Sequence, residues 1–213
     1  MHGDRMNLNY EDMLEYVHHT LIEHKGIRSH KPQLYFRNRF EHIKRVYGWA
    51  KRIMEGVENC DETIVLTAAI FHDCGYTNGS KESHAKLGAN LFLDYATEHG
   101  FDKEFMETVY SMIFHHSNKD LLQEKDTSIE MVVLLEADLI DEEGALGVVF
   151  DLLAEGYKCP DSYNSVFNEI MIHSAHILNQ NYMVTSIAKE IWEQKKKFIE
   201  QFIHDLKCDL FME

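Results

Sequence analysis

The stretch AAIFHDCGY sets His72 beside Asp73 at the end of an apolar run, with Gly75 two residues further on. An imidazole and a carboxylate are both ligands for a divalent cation, and both are costly in an apolar setting unless something answers their polarity. Four other stretches repeat the pairing of an apolar helical stripe with a ligand-type residue. His42 shares a stripe with Val46, Trp49 and Ile53, and His84 with Gly88 and Leu91. His116 aligns with Phe105, Val109 and Met112, which leaves His115 about 100° round the helix, and Asp138 falls on the face of Met131, Leu134 and Leu135. His72 itself follows Val65 and Ala68, with Asp73 again about 100° away. Two such neighbours reach one point only where a helix end meets a cavity.

A lone inward histidine is ordinarily a hydrogen-bonded core residue, and a lone inward aspartate a partner for a helix terminus. Together, several buried imidazoles and carboxylates would leave a large unsatisfied polar load in a small core unless a metal collects them. Nitrogen and oxygen donors without thiolate suit Mn, Fe, Mg, Co, Ni or Zn alike. Such a site, once it holds a divalent ion, attracts phosphate oxygens, so the chemistry to expect is metal-assisted hydrolysis.

The elements that must position these residues are helices. Periodicity predicts them at 9–25, 34–57, 61–74, 83–99, 102–117, 128–140, 143–155, 162–179 and 184–208. Asp61, Ser83 and Asp102 are the expected N-caps, and Gly75 and Gly100 the expected stops. Only two prolines interrupt a chain rich in Leu, Ile, Met, Ala, Glu and Lys, which points to an all-α protein. With 213 residues, no internal repeat and no linker, a single domain over 1–213 is expected. The last helix carries Ile187, Ile191, Phe198, Phe202 and Leu206 near one stripe, which either packs on the bundle or forms a homodimer interface.

A net charge of −15 argues against nucleic acid polymers and anionic membranes as partners, so a polyanionic substrate needs local help. The four cysteines have no framework spacing, the N-terminus lacks a signal segment, and no apolar run is long enough to span a bilayer; a cytoplasmic location is the expectation. No phosphate-binding glycine loop and no nucleophile elbow is present in the sequence.

The order His42, His72-Asp73, Asp138 resembles the H…HD…D pattern of the HD-domain superfamily of metal-dependent phosphohydrolases. HIKRVYGWA is similar to that family's H-x-x-R-V opening, LTAAIFHDCGY to its A-A-x-x-H-D-x-G helix end, and LLEADLIDEEGALG to its A-D-x-x-D-x-x-G-A-x-G segment. The likeness runs from about residue 35 to 155, and residues 156–213 resemble the C-terminal tail of small stand-alone bacterial members. It implies an HD-domain helical bundle with His42, His72, Asp73 and Asp138 on one metal ion. His84 and His116, with His115 as a further candidate, match histidines that hold a second ion in some subgroups. Arg45 and Lys119 match positions where small members carry basic residues, and are expected on phosphate.

The implied activity is hydrolysis of a phosphate ester or anhydride, in a small phosphorylated substrate such as a nucleotide. Asp73 would bind metal and orient water, with Arg45, Lys119 and then Lys81 or Lys86 neutralising charge. Asp141 would act as an orienting residue or a proton acceptor, its alternative being a solvated charge in the DEEG turn. Tyr76 or Tyr110 could stack on a base. The chain departs from the family at Leu139, where a basic residue is common, in lacking a G-Y-P element after His116, and at Tyr76, where a nucleotidase subgroup has Glu. Two rival classes share the ligand pattern: a di-iron HD-fold oxygenase, and a sensor that binds nucleotide or metal without turnover.

Overall fold

A computed structural model describes residues 8–29, 31–77, 83–158 and 163–212. The described residues form α-helices and short 3-10 turns with no strand; an isolated bridge joins Arg28 and Asn38. The helices are α1 (Tyr10–Glu23), α2 (Arg39–Met54), α3 (Glu62–Phe71), α4 (His84–Glu98), α5 (Lys103–His115), α6 (Ile129–Asp141), α7 (Ala145–Lys158), α8 (Tyr163–Ile172) and α9 (Ser186–Phe211).

α3 is the axis of the bundle. Every residue from Val65 to Phe71 is buried, so the helix is apolar all round and has no solvent face to turn outward. It lies among α1, α2, α5 and α6. α6 is likewise buried from Met131 to Ala137, and it packs on α2 and α3. Side-chain caps start most helices: Asn9, Asn38, Asp61, Asp102, Ser128 and Thr185 each accept a backbone N–H in the first turn that follows.

Differences from the expected boundaries have local causes. α2 begins at Arg39 rather than 34, because Pro32–Leu34 forms a 3-10 turn and Asn38 caps the helix. Gly100 stops α4 in a left-handed conformation, φ 68°, with Phe101 N–H returning to Ala96 O. Gly75 does not stop α3, which ends at Phe71; its backbone is not left-handed. Gly75 is needed for clearance instead. A Cβ there would lie 2.2 Å from the carbonyl oxygen of His84 and 2.3 Å from the nitrogen of Gly88, so the turn after α3 presses directly on the backbone of α4. Gly88 answers from the other side, its own missing Cβ lying 3.1 Å from Phe71 O.

α9 buries Ala188, Ile191, Trp192 and Ile199 against the bundle. The expected stripe packs on the bundle, with Ile191 in the core and Ile187, Phe202 and Leu206 half-buried against it, except that Phe198 is exposed and stacks on Phe202. The N-terminus of α9 is fixed by Glu136 of α6, a fully buried carboxylate that accepts from the backbone N–H of Val184 and Thr185 and from the Thr185 hydroxyl. Burial pushes this carboxyl up, and the three donors oppose the shift.

Candidate metal centre

α3 ends at Phe71, and His72 and Asp73 follow in the turn beyond it, His72 still with helical backbone angles, φ −53° and ψ −39°. Asp73 lines a cavity, and His72, fully buried behind it, brings Nε2 to 3.6 Å from Asp73 Oδ2. α2 brings His42 to one side of the cavity and α6 brings Asp138, while α4 opens with His84 and the end of α5 delivers His116. All but Asp138 are buried; its side chain is 17% exposed and opens onto the cavity.

The donor atoms form two sets that share Asp73. In one, His42 Nε2 lies 3.3 Å from His72 Nε2 and 3.5 Å from Asp73 Oδ2, and Asp138 Oδ1 is 3.2 Å from His42 Nε2 and 3.9 Å from His72 Nε2. In the other, His84 Nε2 and His116 Nε2 lie 3.2 Å apart and stand 3.5 and 3.3 Å from Asp73 Oδ1. Ligands about 2.1 Å from a common ion lie roughly 3.0–3.4 Å from one another. Both groups, His42–His72–Asp73 and Asp73–His84–His116, can therefore surround a cation, with one oxygen of Asp73 turned to each.

The far nitrogens of the rings fix their tautomers. His42 Nδ1–H donates to Asp141 at 2.8 Å, His72 Nδ1–H to Ala69 O at 2.8 Å and His116 Nδ1–H to Ile113 O at 2.6 Å. Each ring thus presents Nε2 to the cavity, the arrangement a metal-binding histidine requires. Asp141 is fully engaged, for it also accepts from Arg45 Nε at 2.7 Å and Arg45 Nη2 at 3.0 Å. It is buried and accepts three hydrogen bonds, so it is not a solvated turn residue.

Without a cation the charges answer one another. Burial pushes His42 down, but Asp138 and Asp141 overcome that and bring it up to about 9. His72 is lowered to about 4 by burial, against the pull of Asp73 and Asp138. Burial would raise Asp73 and Asp138, yet Arg39 beside the first and Lys119 beside the second hold both carboxyls well below the usual range.

Among the sequence candidates, His42, His72, Asp73, Asp138, His84, His116 and Lys119 line the cavity or face its ligands. Lys119 donates to Asp138 and to His116 O. His115 is not in the site: the 100° step from His116 turns it outward, where its ring meets Ser111 O. Arg45 spends its guanidinium on Asp141 and does not line the metal cavity. Lys86 is exposed and away from the cavity, Tyr110 stacks on Phe114, and Lys81 lies outside the described residues.

Arg39 was not foreseen. Its Nη1 donates to Asp73 Oδ2 at 2.7 Å, and its guanidinium lies 3.9 Å from the centre of the Tyr76 ring. The opposite partner of Tyr76 is His84, stacked at 4.3 Å, so Tyr76 is occupied by a cation and a ligand and offers no stacking face for a base. Arg39 stands three residues before His42, close to one helical turn, and that spacing was the available signal. The connection from α1 to α2 supplies more positive charge, with Arg28, Lys31 and Arg37 lining the same cavity of about 390 Å³. Ser117 completes the rim, its Oγ 3.3 Å from His84 Nε2.

Residues 39–143 match the HD domain family. The chain carries an HD domain. All six ligand-type residues of the centre lie inside the matched segment. The protein is 29% identical over 175 residues to YpgQ of Bacillus subtilis, an alignment covering 80% of this chain and 83% of that one. Its fold is similar to that of an HD-superfamily hydrolase from Bacillus thuringiensis, with a TM-score of 0.70 and 22% identity over 96% of this chain and 97% of the other. A structure of B. subtilis YpgQ in complex with ADP has a TM-score of 0.68 at 24% identity, covering 95% of each chain. These structural likenesses concern the all-α HD fold. Among the described residues no helix is long and apolar enough to cross a membrane.

Proposed function

We propose that this HD-domain protein is a metal-dependent phosphohydrolase acting on a small phosphorylated substrate, most simply a nucleotide. The observation that carries this reading is the shared placement of Asp73: its two oxygens join two histidine sets at the floor of a cavity whose walls hold Arg28, Lys31, Arg37, Arg39 and Lys119. In a chain of net charge −15, five cations converging on one cavity meet the need for local help that a polyanion imposes. The bacterial relative solved with ADP supports a nucleotide as the ligand class.

Divalent ions, when bound, supply an acidified water and a Lewis acid for the phosphoryl oxygens. This chain's own residues do the remaining work. Asp73 spans the two sets and fixes their separation, and Asp141 holds His42 in its ligating tautomer. Lys119 and Arg39 place positive charge on the two carboxylates of the floor and can turn it toward phosphate as charge develops in the transition state. Ser117 Oγ offers a neutral donor at the rim. The cation wall selects an anionic substrate, and a phosphoryl group on a divalent centre is the anion this reading favours.

The test is release of phosphate or nucleotide from nucleoside mono-, di- and triphosphates, dinucleoside polyphosphates and cyclic dinucleotides, with Mn, Fe, Co, Mg and Ni supplied separately. Turnover that Asp73→Ala abolishes supports the reading. No release across the panel from metal-loaded protein refutes it, and oxygen consumption by the iron form would then assign oxygenase chemistry.

A further inference from the structure

The metal cavity has no place for a flat ring. Most of its lining side chains are charged or polar, with Ile27 and Leu34 the aliphatic exceptions, and Tyr76, the one Tyr, Phe or Trp among its described lining residues, is sandwiched between Arg39 and His84. A second cavity of about 240 Å³ adjoins it and shares four of its residues, Arg37, Arg39, His42 and Glu142. Its own lining is Asn38, Glu41 and Arg45 on one hand and the apolar Phe36, Leu146 and Phe150 on the other. Alone it is smaller than the 300 Å³ or so at which ligand pockets begin, which makes it an annex of the metal cavity rather than a separate site.

Packing does not explain the two rings. Phe36 and Phe150 are half-buried, with centres 5.5 Å apart and planes at 44°, and neither belongs to the buried core or to the side chains packed on it. The face of Phe150 is also within reach of the site, since the guanidinium of Arg37, a flat cation, lies 4.9 Å from its centre. Arg37 is paired there with Glu142, and that pair stands between the two cavities as a wall common to both. A phosphate in the metal cavity competes with Glu142 for Arg37, and a guanidinium drawn toward phosphate uncovers the Phe150 ring.

We infer that the annex takes the aromatic ring of the substrate, a nucleobase or a ring of that size, and that Phe36 and Phe150 determine specificity by stacking on it. This rests on the reading of the metal cavity as a phosphate site. Phosphate would then engage Arg37 and Arg39 on one side while the ring lies against Phe150 on the other. The charges of the first cavity bind any phosphate; the rings of the second distinguish a nucleotide from a bare one.

Binding of two non-hydrolysable probes, the β,γ-imido analogue of ATP and imidodiphosphate, is compared by calorimetry on the Mn-loaded full chain. Wild type is expected to bind the nucleotide analogue tighter, by the roughly five- to 150-fold that one stacked base supplies. Phe150→Ala is expected to bring the two affinities together by weakening the nucleotide alone, with Phe150→Trp restoring the gap. Phe36→Ala, on a different segment of chain, gives the same reading should the α7 variant not fold. A gap that survives both alanine variants overturns the inference, because the ring is then bound elsewhere. Wild type that binds neither probe overturns the inference together with the phosphate reading beneath it, while tight imidodiphosphate binding with no nucleotide preference overturns the inference alone.

Discussion

Replacing Gly75 with alanine should remove one half of the metal centre and leave the other. The added methyl would sit 2.2 Å from His84 O, 2.3 Å from Gly88 N and 2.9 Å from Leu87 C, all backbone atoms of α4. Cβ contacts shorter than 3.0 Å are essentially never seen, so the first contact alone must lengthen by about 0.8 Å, and no flexible side chain is available to yield. The first turn of α4 must therefore move, and His84 is its first residue. Metal ligands tolerate displacements of about 0.2 Å, several times less than this shift. His42 and Asp138 are carried on α2 and α6, away from this contact, and His72, although in the same turn as Gly75, is anchored to α3 by its N–H to Ala68 O and its Nδ1–H to Ala69 O.

Elemental analysis after Mn loading and dialysis is thus expected to fall from two ions per chain in wild type to one in Gly75→Ala. Overpacking of this kind costs about 1–3 kcal/mol, and for a chain of this size each kcal/mol lowers Tm by about 2–4 °C. The melting temperature should accordingly drop by about 2–12 °C. Gly88→Ala, whose tightest contact is 3.1 Å, should do the same more weakly. Unchanged metal content and Tm in Gly75→Ala would refute the clearance argument. Loss of both ions would refute the division of the ligands into two sets joined only through Asp73.

Three further outcomes follow from the same geometry. Tyr76→Ala should loosen His84 and release Arg39 from Asp73, lowering ion content at the His84–His116 set, whereas Tyr76→Phe keeps both stacked partners and should bind metal as wild type does; equal behaviour of the two variants in metal titration would show that stacking is immaterial. Asp141→Asn leaves His42 Nδ1–H and Arg45 with a neutral partner and should weaken the His42 ion about 10–100-fold, read as a shift in the Mn titration midpoint, with little change if Asp141 only braces the fold. Metal affinity at the His42 set should rise with pH between about 7 and 9, because the cation-free ring, raised to about 9, must surrender a proton to bind, while His72, lowered to about 4, adds no slope in that range; a flat affinity across that window in buffered calorimetry, with no proton release, would count against it.

Much of this was legible in the chain. Each stripe that put a histidine inward did so because a 3.6-residue period fixes which neighbours share a face, and burial of Val46, Val109 and Met131 beside His42, His116 and Asp138 follows from it. The same period put His116 on the inward stripe and His115 100° away from it; only the family resemblance kept His115 as a further candidate. The helix starts were written in Asp61 and Asp102, short polar residues that accept from the first turn. What periodicity could not supply was the end of α3: an apolar run through Phe71 reads as continuing into His72 and Asp73, whereas the turn there packs through Gly75 on α4, nine or more residues further along.

The parts of the site that stayed hidden share one physical cause, which is pairing across long separations. His42 meets Asp141 across 99 positions and Arg45 meets it across 96, so one carboxylate orients a ligand and at the same time claims an arginine that motif spacing assigns to phosphate. Local spacing says that Arg45 lies one turn from His42; it does not say which of two carboxylates on α6 will take it. The answer depends on the register of α2 against α6, where Asp138 opens onto the cavity and Asp141, one turn further along, is buried behind the ligand it orients. Arg39, one turn in the other direction, then falls on Asp73 and the cavity. The arginine that lines the metal cavity is the one preceding the histidine, paired with Asp73, because Asp141 on the next turn of α6 holds the other outside it.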